Sequence, residues 1–291
     1  MRTPTDRARD WAARVGRRLA AADVDQRSAT APVDAVNDRY IETAPSPANA
    51  VDLFAGQWST KLPIDAPTGD VDLFGDSRVI DYVQSVGGVD GQRVLELGPL
   101  EGAHTATLRN DLGAAHVTAI EANTSAYLRC LITKELIGLD GVEFQLGDFR
   151  PYLATTDDRF DLAVAIGVLY HLDDPVPVLA DLTRIADRIV LWTHVHADER
   201  NAPQLADRFD APIDKDLNGT PYRLHPYRYE SSLDWSGFCG GTRPKAAWIE
   251  RDSLLTIIAS LGLVIERIEE TNHPHGPTVT MALRKRPPFD P

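Results

Sequence analysis

A short apolar segment that runs into a glycine turn is the part of this sequence best suited to hold a nucleotide. The segment VLEL (94–97) is followed by the turn GPLEG (98–102) and then by a predicted helix. Glycine at positions 98 and 102 allows the backbone to approach a ligand closely. Glu121 ends the next predicted strand, nineteen positions after Gly102. An acidic side chain there is placed to accept hydrogen bonds from both hydroxyls of a ribose.

The spacing of the two glycines favours one class of cofactor over another. Dinucleotide sites use G-x-G-x-x-G and place a pyrophosphate at the helix N-terminus. Here Pro99 follows Gly98 directly, where an NAD site needs room, and Glu96 and Glu101 add two carboxylates. Carboxylates repel a pyrophosphate but suit a ligand that carries an ammonium and a sulfonium. The pattern therefore favours S-adenosylmethionine (SAM), and an NAD-dependent oxidoreductase is the weaker alternative.

Three histidines follow predicted strands and are candidates for a general base. His171 follows the fourth strand, and His194 and His196 follow the fifth. Ligands bind at the carboxyl ends of the strands in doubly wound sheets. Methyl transfer to an alcohol requires a base, or a metal that lowers the pKa of the hydroxyl. We expect the base to come from the 194/196 pair first, and His171 is the next candidate.

The same histidine pair could also form half of a metal site. His194 and His196 share one face of a strand, and Asp198 and Glu199 follow. A divalent metal is compatible with this spacing but is not favoured. Further aromatic and histidine side chains are expected to line a polar acceptor pocket. They are Tyr170, Tyr222, His225, His273 and His275.

These residues need a parallel sheet to bring them together, and the sequence predicts one. Short strands alternate with helices, which is typical of an α/β, doubly wound, mostly parallel sheet. The predicted strands are 93–97, 117–121, 142–146, 160–166, 188–193, 263–269 and 278–284. The predicted helices are 103–112, 125–137, 176–186 and 251–261. We expect a seven-stranded Rossmann-like sheet whose last strand is antiparallel.

Two regions lie outside this alternation. Residues 1–90 are predicted to hold an N-terminal amphipathic helix within the Arg-rich first thirty residues and a Pro-rich segment, 44–76, that wraps over the core. Residues 91–291 form the nucleotide-binding domain. Within it, 195–249 has few periodic signals, and a stretch this long is expected to be a substrate lid rather than a plain loop.

Composition narrows the classes of partner. The chain has 291 residues and a formal net charge of -13, and an acidic surface disfavours nucleic acid. No stretch approaches the ~20 apolar residues of a membrane span, and no apolar signal-peptide core is evident. Two cysteines exclude a disulfide framework. We expect a cytoplasmic protein that binds a small molecule, and a homo-oligomer is compatible with the sequence.

Four motifs resemble those of class I SAM-dependent methyltransferases. They are VLELGPLEGAHT (94–105), VTAIEAN (117–123), FQLGDF (144–149) and FDLAVAIGVLYHLDDP (160–175). The stretch GVLYHLDDP is similar to one in bacterial tRNA wobble-uridine carboxymethyltransferases and in many small-molecule and sugar methyltransferases. The chain departs from the family at Pro99-Leu100-Glu101, where many members have Cys-Gly-x.

The resemblance implies how SAM, which leaves as S-adenosylhomocysteine (SAH), would be held. Glu96, Gly98 and Gly102 would frame the methionine part, and Glu121 would hold the ribose. The adenine would meet Asp148 at its amino group and Phe149 beside the ring. The residues expected at the floor of the cleft are Gly167 and Val168. Trp58 either closes over the cofactor or packs in the core, and both interpretations stay open.

The resemblance implies a methyltransferase, and the acidic composition favours a small polar acceptor, for which we expect O-methylation of a sugar-like hydroxyl. A tRNA-modifying enzyme is the alternative that GVLYHLDDP suggests, although no basic face is evident beyond the first thirty residues. A noncatalytic SAM-binding partner subunit is a third hypothesis. Glu96, Glu121 and Asp148 together argue against it.

Overall fold

The structure is a computed structural model that describes residues 40–197, 203–229, 241 and 245–287. The chain divides into two compact units at Ala44 and Pro45. Of the first unit only residues 40–44 are described, so the predicted N-terminal helix lies outside the described residues. In the described residues no helix is long and apolar enough to cross a membrane.

The described part of the chain forms ten strands and seven α-helices. The strands are β1 Arg93–Leu97, β2 His116–Glu121, β3 Val142–Leu146, β4 Leu162–Ile166, β5 Arg188–His194, β6 Ile213–Leu217, β7 Thr220–Arg228, β8 Lys245–Ile249, β9 Leu263–His273 and β10 Gly276–Lys285. The helices are α1 Pro47–Val51, α2 Ser77–Ser85, α3 Ala103–Ala106, α4 Thr124–Leu136, α5 Phe149–Thr155, α6 Val176–Ile185 and α7 Arg251–Ser260. Helix α3 continues as a π-helical turn over Thr107–Asp111.

The predicted seven-stranded, mostly parallel sheet is confirmed. Its strand order is β3-β2-β1-β4-β5-β10-β9. Strand β10 is antiparallel to both β5 and β9, so the last strand in the sequence lies between them and β9 forms the edge. The strand order reverses between β1 and β4, and their carboxyl ends are the place where such sheets bind ligands.

Alternating side chains give this sheet two separate apolar faces. Leu95 and Leu97 of β1 belong to one buried cluster, and Val94 belongs to the other. The same division occurs in β5, where Leu191 faces one cluster and Trp192 the other. Because both faces are covered, the central strand β4 (LAVAI) is buried and apolar at every position, as expected within a parallel sheet.

The predicted lid region contains a second sheet, which the sequence pattern did not indicate. Strands β6, β7 and β8 form a three-stranded antiparallel sheet, although β7 contains Pro221 and Pro226. Proline is tolerated because β6 pairs with 220–224 and β8 with 224–228. Each proline therefore lies in a half of β7 that has a single named strand beside it, where a missing N–H costs little.

The wrapping segment (residues 44–76) packs through its own apolar cluster and through one buried carboxylate. Glu101 is completely buried, and its two oxygens accept hydrogen bonds from the backbone N–H groups of Ser59 (3.0 Å) and Thr60 (2.7 Å). The guanidinium of Arg129 on α4 lies 2.9 Å from the same carboxylate. Glu101 thus joins the wrapping segment, the glycine turn and α4.

We predict that Glu101→Gln lowers the free energy of unfolding by about 3 kcal/mol, because it leaves the buried Arg129 cation without its counter-charge. Urea unfolding followed by circular dichroism measures this. Glu143→Gln on β3, whose side chain is 57% exposed, is the matched control and should change stability by less than about 0.5 kcal/mol. Equal stability of the two variants would show that Glu101 does not hold the segment.

Candidate active site

The turn after β1 brings two neighbouring parallel strands into contact at their carboxyl ends. Gly98 has a φ of 64°, and its N–H donates to the carbonyl of Ile120 at 2.9 Å. A Cβ at this position would lie 2.8 Å from Cγ2 of Val168, the residue that follows Gly167 after β4. Only glycine fits there without a shift of its neighbours, so the turn passes close to the end of β4.

The rest of the turn is held by Glu121. Leu100 has the positive φ of 56°, which is uncommon for a residue with a side chain and is often found at functional sites. Its N–H donates to Oε2 of Glu121 (3.2 Å), and the N–H of Asn123 donates to Oε1 (2.8 Å). Gly102, with φ 84°, then begins α3, and its missing Cβ would lie 3.1 Å from the ring of Phe144.

A second carboxylate, Glu96, is buried beneath the turn. It is 2% exposed, and the hydroxyl of Thr105 donates to its Oε2 at 2.5 Å. Burial raises the pKa of Glu96 to about 7, against the opposing effects of nearby His104 and of the Thr105 hydrogen bond. A buried carboxyl with this pKa is set to ionise when a cationic ligand arrives beside it.

Five rings, which we call the aromatic cluster, meet beyond the ends of β4 and β5. They are Tyr170, Trp192, His194, Trp248 and His273. His194 stacks on Trp248 with centroids 4.6 Å apart and an interplanar angle of 11°, and it meets Tyr170 edge-on at 4.7 Å. The carbonyl of Trp192 accepts the N–H of Gly167 at 2.9 Å, so the cluster lies beside the residues that follow β4.

His194 is held in a single orientation and is uncharged at neutral pH. Its Nδ1 lies 3.3 Å from the carbonyl oxygen of Pro277, which can only accept, so Nδ1 carries the hydrogen and Nε2 keeps its lone pair. Burial lowers the pKa of His194 to about 3. The ring therefore offers a hydrogen-bond acceptor at the carboxyl end of β5.

Comparison with known families decides what kind of site this is. Residues 89–216, which include the turn, Glu96 and Glu121, match the model of a family described as a methyltransferase domain. The chain carries a class I SAM-dependent methyltransferase domain. No curated protein sequence matches the chain.

Solved structures share the fold of this methyltransferase domain. The N-terminal domain of EvdMO1, crystallised in the presence of SAH and D-fucose, is 23% identical, with a TM-score of 0.61 over 82% of this chain and 95% of that one. Against EvdMO1 crystallised as a longer chain, the match covers 46% of its length at 22% identity and a TM-score of 0.54. A SAM-dependent methyltransferase from Mesorhizobium loti is 15% identical, with a TM-score of 0.50 over 74% of this chain and all of that one.

The residues around the turn fit SAM. Two buried carboxylates, Glu96 and Glu121, lie at the carboxyl ends of neighbouring strands, and a turn without side chains at Gly98 and Gly102 opens α3. This donor set suits a cation and a ribose, not a pyrophosphate. Glu101 was expected to face the cofactor as well, and its hydrogen bonds to the wrapping segment show that it is committed elsewhere.

Other residues predicted for the cofactor lie at the start of α5 or in the core. Asp148 caps α5 by accepting the N–H of Arg150 (2.9 Å) and also pairs with its guanidinium at 2.6 Å. Phe149 is buried beside it. Trp58 donates its indole N–H to the carbonyl of Val51 at 3.0 Å and packs in the wrapping segment's own cluster, as the core-packing interpretation expected.

The predicted histidines fall into two groups. His171 touches the aromatic cluster through Tyr170 at 4.0 Å, its Nδ1 lies 2.6 Å from the hydroxyl of Tyr229, and burial lowers its pKa to about 4. His196 instead stacks on His225, with centroids 3.4 Å apart, where β5 leads into the three-stranded sheet. The structure therefore separates His194 from His196, although they share one strand end.

The residues expected to bind the acceptor also lie in two separate places. His273 reaches His194 at 5.5 Å, and His275 is exposed beside it in the β9–β10 turn. Tyr222 lies away from the cluster: its hydroxyl donates to Asp174 at 2.9 Å, and Lys215 pairs with the same carboxylate at 2.8 Å. The second aspartate of GVLYHLDDP thus anchors the three-stranded sheet.

Sequence reasoning missed a charged group at the start of α2. Asp76 forms an ion pair with Arg78 at 2.5 Å, and its carboxylate also lies 3.0 Å from Nε2 of His104. Burial alone would raise the pKa of Asp76, but the hydrogen bonds from His104 and Arg78 hold it far below its usual range. Arg78 lies over the ring of Trp192, 5.1 Å from its centroid. The motif D-S-R at a helix start was the one available signal, since an aspartate N-cap there predicts α2.

Metal ligands are not grouped in the described residues. No set of three or more His, Cys, Asp or Glu side chains there is arranged to hold an ion. Asp198 and Glu199, the other half of the considered metal site, lie outside the described residues.

We predict that SAH affinity rises with pH through about 7, because the ionised form of Glu96 attracts the ligand's ammonium and its pKa is raised from 4.5 to about 7. Affinity should fall up to about tenfold for each pH unit below 7, since one proton must leave. Isothermal titration in buffers of different ionisation enthalpy measures the released proton. A pH dependence that persists unchanged in Glu96→Gln would contradict the assignment.

Proposed function

We propose that this methyltransferase domain methylates a hydroxyl of a sugar-like small molecule. The observation that carries the proposal is the aromatic cluster with neutral His194 beside the cofactor cleft. Rings of this kind pack against the C–H faces of a sugar, while the Nε2 lone pair accepts a hydrogen bond from a hydroxyl. The residues that would hold SAM are Glu96, Gly98, Gly102 and Glu121, with Asp148, Phe149, Gly167 and Val168 around the adenine and the floor.

Bound SAM supplies an electrophilic methyl group, so the protein's task is to place an oxygen in line with it and to remove one proton. The wall formed by Gly98 and Val168 fixes the depth of the cleft, and the rings of the aromatic cluster orient the acceptor. His194 accepts the hydroxyl proton at Nε2, while its Nδ1–H stays hydrogen-bonded to the carbonyl oxygen of Pro277.

A pKa of about 3 does not disqualify His194 as the proton acceptor. If the hydroxyl oxygen took the methyl group of bound SAM, the S–CH3 bond would break to leave SAH, and the oxygen would become that of a protonated ether, which is far more acidic than an imidazolium. Even a weak base then takes the proton, and a neutral ring does not repel the cationic cofactor. His171 is the second candidate, because its ring also adjoins the cluster and is also neutral.

Two further features support a small, hydroxyl-rich acceptor. The EvdMO1 domain, whose fold this chain shares, was crystallised with SAH and D-fucose. The net charge of -13 disfavours a nucleic-acid backbone, which argues against the tRNA alternative. A neutral His194 near the residues proposed to hold SAM also argues against a purely noncatalytic partner subunit.

Transfer of a labelled methyl group from SAM tests the proposal. We expect labelled product from a fractionated extract of small metabolites, and from D-fucose or D-galactose as defined probes, but not from bulk tRNA. Label in tRNA with none in the sugar fractions would overturn the proposal. Label in neither would favour the noncatalytic hypothesis.

His194→Gln should lower kcat by about 100-fold, within the range of a general base, while SAH affinity stays within about twofold. His116→Gln on β2, whose side chain is 40% exposed, is the matched control and should retain full activity. Because the pKa of His194 is lowered from 6.5 to about 3, the neutral form prevails throughout pH 5 to 8, and kcat at saturating SAM should be flat there. A fall in kcat with an apparent pKa near 6.5, or full turnover of His194→Gln, would contradict this role.

A further inference from the structure

We infer that Arg78 recognises an anionic group on the acceptor, a carboxylate or a phosphate, at the edge of the aromatic cluster. The inference rests on the proposed function, since it names the class of sugar that the site prefers. The guanidinium of Arg78 lies over the ring of Trp192, with Cζ 5.1 Å from the ring centroid. Trp192 in turn meets His194 at 5.2 Å, so Arg78 is one ring away from the candidate base.

Asp76 orients the guanidinium and leaves part of it available. Its carboxylate accepts from Nε (2.9 Å) and from Nη2 (2.5 Å) of Arg78, which uses one edge of the fork. Among the described residues no other group bonds Arg78, so both hydrogens of Nη1 and one of Nη2 lack a protein acceptor there. The side chain is 34% exposed, which gives a ligand access.

The remaining edge suits an oxyanion. Arginine presents paired N–H groups in a planar fork that matches the two oxygens of a carboxylate or phosphate. Asp76 is itself 8% exposed at its side chain and also contacts His104 at 3.0 Å, so its charge lies behind the guanidinium within the protein. A rigidly held arginine also loses little entropy when it binds.

The neighbouring side chains of the cluster offer no competing charge. His194 is neutral, and the pKa of His273 is lowered by desolvation first and then by His275 and Arg78. His273 also meets the ring of Trp192, with centroids 5.9 Å apart. A sugar whose hydroxyl meets His194 would therefore carry its anionic substituent toward Arg78.

Four sugars that differ only at C6 test the inference. D-fucose carries a methyl group there, D-galactose a hydroxymethyl group and D-galacturonate a carboxylate, and D-galactose 6-phosphate adds the phosphate. Methyl transfer is measured as kcat/KM, and binding of each sugar to the SAH-saturated full chain is measured by titration. We expect galacturonate or the phosphate to exceed galactose by about 10- to 100-fold, as for a charge-assisted hydrogen-bonded pair.

Variants separate recognition from a structural role. Arg78→Gln should remove the preference for the anionic sugar while galactose changes by less than about twofold, and Arg78→Lys should restore part of it. Arg267→Gln is the matched control, since this arginine also stacks on a ring, that of Tyr82 at 4.4 Å, away from the cluster. Equal losses for galacturonate and galactose in Arg78→Gln would overturn the inference.

The two proposals fail in different ways. If the neutral sugars are bound and methylated as well as the anionic ones, the inference about Arg78 is wrong and the proposed function stands. If no sugar is bound or methylated, the proposed function fails and the inference fails with it. If only the phosphate is preferred, the anion is a phosphate and Arg78 keeps its role.

Discussion

The close approach of the β1 turn to the end of β4 is the constraint on which the rest of this structure depends. Gly98 leaves no room for a Cβ beside Val168, and its left-handed φ sends the chain across the end of the sheet. Leu100 then adopts a positive φ so that its N–H reaches Glu121. Strain of this kind persists only where the surroundings determine it, and it is often found at functional sites.

The same turn connects the cleft with the wrapping segment. Glu101, one residue before Gly102, is buried against Ser59, Thr60 and Arg129. Glu96 of β1 and Glu121 at the end of β2 lie beside the turn, whereas Glu101 within the turn fixes the segment that leads to Asp76 and Arg78. The turn thereby helps to place the charged group beside the aromatic cluster as well as the cofactor.

The regular strands and helices were predictable from the sequence, and so were the site residues whose spacing those elements determine. Alternation of strands and helices predicts the sheet, and the distance from Gly102 to Glu121 follows from one βαβ unit. Contacts between distant segments were not predictable in this way. Nothing in the local pattern joins Trp192 to Arg78, or Glu101 to Ser59, because these pairs meet only through tertiary packing.

The three-stranded sheet was not predicted from the sequence for a different reason. Its β6–β7 hairpin turns at Asn218-Gly219, where both residues have positive φ, and Asn-Gly is a strong hairpin signal. The sequence contained this signal, but Pro221 and Pro226 concealed the strand that follows. The separation of His194 from His196 was also not predictable, because it depends on ring stacking. His194 stacks on Trp248, and His196 stacks on His225.

The central claim is that the turn and Glu121 form a SAM site, and titration of the full chain with SAH tests it most directly. We predict saturable binding of SAH, at least tenfold weaker in Glu121→Ala and unchanged in Glu143→Ala on the exposed edge of β3, with no tight binding of NADH. Tight NADH binding, or SAH affinity that Glu121→Ala leaves intact, would contradict it.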